Sequence, residues 1–553
     1  MNYFILHGVK INMRQSITTT ILLVTIAFSS SSQTFDLIIR HGEVYNGLGT
    51  APLIADIGVN KDTIAFIGDL SRAIGTKEIE ARGLSVAPGF INMLSWAEVQ
   101  LLKDGRAMSD IMQGVTLEVM GEGLSPGPRK PRKNDKRWNT LGQFFTYLER
   151  KGVSPNFASF VGATSIRMYV LDHAGRRPTV AELTQMKNLV AQAMREGALG
   201  VGSSLIYAPA TFAGTNELIE LCKVASSYGG MYITHMRSES DFIYEALNET
   251  FRIAKEARIP TEIYHLKINH DRNWNKIDTV LFKIDSARKA GLKITADMYP
   301  YNASGTSLTA RLPAWVQEGG AKEMRKRLLD PETRKRVLHE LRQGIPSKNS
   351  SPEDVLLLGF KNDSLNRLYR GKRLDEVSRL HGKDEDETMI DLLLADKSGI
   401  PAIFFLMSED NVKRMLTLPF VSICSDAAAY PAEPPFIDEG IHPRAYGSFA
   451  KFLSDYVRDQ KLLTLEEAIR RMTSLPASNL KLDRRGILLK GYFADIVIFD
   501  KNKIDDKSTF EKPHQYAEGM IHVFVNGTQV LDDGRHTGAM PGRAIRGPGW
   551  GER

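Results

Sequence analysis

Residues 231–265 read MYITHMRSESDFIYEALNETFRIAKEARIPTEIYH. A five-residue apolar run ends in His235, a helix-forming segment follows, and a second short run ends in His265. That length is one strand–helix–strand repeat, which places two consecutive strands side by side and parallel. Working outward, the same rhythm holds from residue 86 to 426. The apolar runs are VAPGFINML, VTLEVMG, NFASFVG, LGVGSSL, MYITH, TEIYH, LKITAD and FVSICSD. The segments between them have helical periodicity. TVAELTQMKNLVAQAMREG sets Leu183, Met186, Val190 and Met194 on one face, opens with a Thr179-x-x-Glu182 capping box and stops at Gly197. Eight buried strands alternating with helices predict an α/β chain built as a (β/α)8 TIM-type barrel over residues 86–484.

The two ends differ from this pattern. Residues 34–85 and 485–545 carry short alternating runs, with an Asn526-Gly527 hairpin turn, and predict a flanking β-sandwich built from both termini. The gap between strands seven and eight is too long for one helix. Its charged, helical stretch predicts an inserted subdomain at about 312–405, before strand eight. Residues 1–33 form a signal-peptide region. From Met13, itself a candidate start, a basic residue precedes a short apolar run and then small polar residues, which predicts export to the periplasm or outside the cell. No later segment resembles a membrane span. With 553 residues, 25% charged side chains and a net charge of +7, no basic aromatic-laced tract suggests nucleic-acid binding. Cys222 and Cys424 lie in apolar runs and read as buried free thiols.

Chemistry in such a barrel sits at the C-terminal ends of the strands. That position holds Glu122 after strand two, His235 and His265 ending strands five and six, Asp297 on strand seven and Asp426 after strand eight. One carboxylate and two imidazoles suit one divalent ion with an open position for water, and Asp426 could move that water's proton. Each residue alone has an ordinary alternative: a hydrogen-bonded histidine, a loop carboxylate, a helix cap for Asp297. Strand one departs from a common hydrolase pattern, Pro-Gly-Phe-Ile-Asp-x-His-x-His. Here Pro88-Gly89-Phe90-Ile91 leads to Leu94, Ser95 and Trp96, read as apolar bulk in place of the imidazoles.

The chain resembles the D-aminoacylase (N-acyl-D-amino-acid deacylase) branch of the amidohydrolase superfamily. The resemblance rests on DLIIRHGEVYNGLG, APGFI, the stretch from GALGVGSSLIYAPATF to MYITHMRSE, YHLKINH, ITADMYPYNASGTSL, SDAAA, HPRAYGSF, EEAIRRMTSLPA, GYFADIVIFD and HQYAEGMIHVFVNG. It implies metal ligands at Glu122, where the family usually has Cys, and at His235 and His265. It implies Asp426 as general base and acid, and Lys267, Tyr299 and Arg444 as holders of a substrate carboxylate. The implied cofactor is one divalent ion: zinc first, with manganese, iron or cobalt as alternatives that a harder Glu ligand favours. The implied partner is a small N-acyl amino acid, cleaved by a metal-activated water. Two other functions stay open. One is a cyclic-amide hydrolase resembling dihydroorotases and hydantoinases, against which strand four offers no lysine. The other is an inactive exported binding protein.

Overall fold

The computed structural model describes residues 33–131, 135, 137–343 and 352–551. The expected signal segment lies outside these, apart from Gln33. Among the described residues no helix is long and apolar enough to cross a membrane.

Eight parallel strands carry the site. They are Phe90–Asn92, Val115–Met120, Asn156–Ser159 continued by Val161–Gly162, Gly200–Ser204, Met231–His235, Thr261–Ile263, Ile294–Met298 and Val421–Ile423. Strands one to three form one ladder, and the second half of strand three continues through four, five, six and seven to eight. Between strands eight and one, Ser95 pairs in parallel with Ala427. The Asp426 N–H donates to Leu94 O and the Trp96 N–H to Ala427 O, both at 2.9 Å. This is an α/β architecture of the TIM-barrel type, with strands buried on both faces. The helix Val180–Arg195 has its Thr179–Glu182 capping box and buries Met186, Val190, Ala193 and Met194, while Leu183 is only half-buried.

The expected first strand is two strands. Ser85–Pro88 belongs to a sheet outside the barrel, where it pairs with Ile496–Phe499, and only Phe90–Asn92 enters the barrel. Gly89 sits at the handover. A Cβ there would fall 2.1 Å from Thr116 Oγ1, so the chain crosses at a point where only glycine fits. The outer sheet has nine strands drawn from both ends of the chain and branches at Thr34–Val44, where Ile74–Glu80 pairs off the main path. It encloses a core that includes Ile39, Ile57, Val86, Ile496 and Phe524. Its hairpin at Asn526-Gly527 has φ +49° and +76°, the left-handed pair that a two-residue turn requires.

The segment before strand eight has its own apolar core, including Leu308, Leu328, Val337, Val377 and Ile390. It starts earlier than 312, because Ser304–Ser307 already pairs with Pro401–Phe404, which in turn pairs with Val355–Leu357. Cys222 and Cys424 are buried and unpaired, as their apolar surroundings suggested.

Candidate active site

Glu122, His235 and His265 come together at the mouth of the barrel. One donor atom from each lies within 4.8 Å of the others, and this is the one such trio among the described residues. Glu122 Oε1 is 2.8 Å from His235 Nδ1 and 3.4 Å from His265 Nε2, so these three atoms face a common point. Burial pushes the Glu122 carboxyl up, but hydrogen bonds from both imidazoles outweigh it and hold the group at about 2.

The backbone positions these groups with local strain. His265 is not on an extended strand end: its φ is +33°, a left-handed turn just after Ile263. Asp297 stabilises that turn by accepting the His265 N–H at 2.7 Å, so it is a buried buttress and not a helix cap. The turn also brings His265 and Lys267, two residues apart, onto one side. They meet there, with Lys267 Nζ 2.6 Å from His265 Nδ1, a separation with room for one proton.

Glu239 stands outside the strand-end set, and the sequence offers it only as a nearby acid that could pair with Lys267. It lies in the loop after strand five and is buried. Its carboxylate is 3.0 Å from His265 Nδ1, 3.6 Å from His235 Nε2 and 2.9 Å from Lys267 Nζ. It therefore faces the outer nitrogens of both histidines, the place of a carboxylate that fixes ring orientation. Burial raises its carboxyl, yet the charges of Lys267 and the two histidines hold it well below the usual range. Its spacing of four residues from His235 was the available signal, but nothing in the loop composition said which way it points.

Lys267, Tyr299 and Arg444 also converge. Lys267 Nζ lies 5.6 Å and Arg444 Cζ 4.6 Å from the centre of the buried Tyr299 ring. Each cation is already paired, Lys267 with Glu239 and Arg444 Nη1 with Asp426 Oδ2 at 2.8 Å. Asp426 has φ +49° and receives a second contact: Trp96 Nε1–H donates to Oδ1 at 3.1 Å. Leu94 is the apolar filler expected, but Trp96 is half-buried and offers a donor to the acid.

The charges show whether an ion fits. Glu122, Glu239 and Asp426 supply three carboxylates against the two cations Lys267 and Arg444, so neutral imidazoles would leave an excess of negative charge. His265 reports it. Burial and Lys267 pull its basicity down, but Glu239, Asp426 and Glu122 together push it up to about 10. On the other side of its ring from Glu122, the buried His235 Nε2 faces Glu239 without a hydrogen-bond partner. A divalent ion among Glu122 and the facing nitrogens suits both the charge and the donor set.

Comparisons with known proteins agree with this chemistry. The Amidohydrolase family matches residues 373–531. A D-aminoacylase of Alcaligenes xylosoxydans xylosoxydans is 34% identical over 528 residues, covering 93% of this chain and 98% of that protein. A solved D-aminoacylase superposes with a TM-score of 0.78 at 31% identity, covering 93% of this chain and 100% of that one. Its binuclear metal centre is described as activated by one metal and attenuated by a second. An N-acyl-D-glutamate deacylase of Bordetella bronchiseptica, solved with zinc and a phosphonate mimic of the tetrahedral intermediate, also superposes at 0.78, with 28% identity over the same shares. Fold and site define an amidohydrolase with a metal-binding barrel mouth. Within that class, the chain belongs to the D-aminoacylase family.

Proposed function

We propose that this protein hydrolyses the amide bond of N-acyl-D-amino acids, using one divalent ion held by Glu122, His235 and His265. The observation that carries the reading is the meeting of that trio with a Lys267–Tyr299–Arg444 cluster at one barrel mouth. When bound, the ion supplies Lewis acidity to the scissile carbonyl and to a water. Asp426 takes the proton of the attacking water and returns it to the amide nitrogen as the C–N bond breaks. Glu239 holds the His265 imidazole in orientation through its 3.0 Å contact with Nδ1 and lies 3.6 Å from His235 Nε2. Lys267 and Arg444 receive the substrate's carboxylate, with the guanidinium suited to two parallel hydrogen bonds. A fixed carboxylate and a fixed carbonyl leave one direction for the side chain, so one enantiomer is selected. The names of the relatives support the D form.

Zinc is the ion we propose, supported by the zinc in the glutamate deacylase relative. The Glu122 carboxylate keeps manganese, iron and cobalt in the test. A cavity of about 1450 Å³ opens above the site, and Leu312, Phe360 and Ile400 of the inserted segment line it. We read that segment as a subdomain covering the barrel mouth, and the layout of residues 13–33 as an export signal. The test is elemental analysis of purified protein joined to a screen of N-acyl-D- and N-acyl-L-amino acids. One ion per chain and D-selective hydrolysis are expected. Full activity without metal, or L preference, overturns the reading.

A further inference from the structure

Strand one contributes no ligand to the trio, yet it is hydrogen-bonded to the segment that carries Asp426. Asn92 Oδ1 accepts the Ser425 N–H at 2.9 Å, and Asn92 Nδ2 donates to Ser425 Oγ at 2.8 Å. The Asp426 N–H donates to Leu94 O, and the Trp96 N–H returns to Ala427 O. These bonds hold Asp426 in its left-handed conformation. The side chain is then held at both oxygens, by Trp96 Nε1 at 3.1 Å on Oδ1 and by Arg444 Nη1 at 2.8 Å on Oδ2.

We propose that Trp96 is a positioning residue for Asp426, fixing the carboxylate for proton transfer and closing the space beside it to a second metal ion. The proposal rests on the deacylase reading given above. An indole N–H suits this task because it is a donor only and does not titrate in the working range. It orients the carboxylate without competing for the proton that Asp426 moves. It also presents a partial positive charge next to the full charge of Arg444, so a cation approaching Asp426 from strand one meets two repulsive groups. Leu94, fully buried, and Trp96 supply no ligand atoms there. Among the described residues Asp426 belongs to no group of three metal donors. The centre is thereby confined to one ion, whereas a D-aminoacylase relative has a binuclear centre attenuated by its second metal.

The experiment compares wild type, Trp96→Phe and a Leu94→His/Trp96→His double variant, with metal content measured after dialysis against excess zinc. Wild type should hold one ion per chain and show no inhibition by that excess. Trp96→Phe keeps the ring and removes only the N–H. It should still hold one ion, lose about tenfold in kcat and change KM by less than about twofold, because only the proton-transfer geometry is disturbed. The double variant should take up a second ion, a readout independent of activity. Two ions in wild type, an unchanged kcat in Trp96→Phe, a loss that falls on KM, or a double variant that stays at one ion overturns the role of Trp96. A wild type with neither metal nor activity overturns the deacylase reading itself.

Discussion

At the scale of single residues, Glu239 does the least visible work in the site. It faces the outer nitrogens of both histidines and holds Lys267, so its loss should loosen the metal more than it slows the chemistry. Glu239→Gln keeps the shape and removes the charge. We expect metal affinity to fall by about 10–100-fold, measured by chelator competition, with kcat much less affected once metal is saturating. An unchanged affinity would show that the carboxylate does not support the ligands. Asp426→Asn tests the opposite division: metal retained, kcat reduced by ~10²–10⁴-fold. Normal turnover in that variant would make Asp426 structural. Arg444 adds a third contrast. Arg444→Ala should raise KM for N-acyl-D-amino acids far more than for their uncharged amides, since only the former present a carboxylate. Glu122, His235, His265 and Asp426 were readable as residues because each follows a recognisable apolar run. Glu239 and the Trp96 donor were not, because their meaning lies in loop direction, and one sequence does not state where a loop side chain points.

The elements divide along similar lines. Barrel strands announce themselves as apolar runs, and a capping box with a terminal glycine marks the helix Val180–Arg195. What the pattern hides is where a strand changes sheets, since both sheets want the same apolar residues. VAPGFINML reads as one strand, but its first half pairs with the C-terminal strand Ile496–Phe499 and its second half with barrel strand two. Gly89 is the joint between the β-unit and the barrel, and Thr116 fills the space where a Cβ would go. Gly89→Ala should destabilise the protein by about 1–3 kcal/mol through overpacking. Chemical denaturation is the measurement, and adding Thr116→Ala should recover part of the loss. If the single variant is as stable as wild type, the crossing is looser than its geometry implies. The start of the inserted segment is hidden for a different reason: Ser304–Ser307 is short, polar and half-buried, and gains its strand character only from Pro401–Phe404.

At the scale of the whole molecule, barrel closure depends on a polar cluster that is costly to ionise. Where strands one, two and eight meet, Asn92 Nδ2 lies 3.3 Å from Asp110 Oδ1, 3.1 Å from Glu118 Oε2 and 2.8 Å from Ser425 Oγ. Both acids are fully buried, and among the described residues no cation pairs with either. Burial pushes Asp110 up to about 7, and burial together with the charge of Asp110 pushes Glu118 well above the carboxylate range. The native state therefore keeps protons that the unfolded chain releases near pH 4. Folding stability is fully supported below that point and declines as pH rises towards about 7, because the unfolded state binds fewer protons there. Glu118→Gln removes one titration and relieves the other. Between pH 5 and pH 8, wild type should lose several degrees more in Tm than the variant. The variant should be the relatively more stable of the two at pH 8. Any pH dependence of metal binding is common to both proteins, so the difference between their slopes isolates the acid pair. Parallel slopes would show that the pair shares its proton with the same affinity folded and unfolded, and that closure of the barrel carries no such penalty.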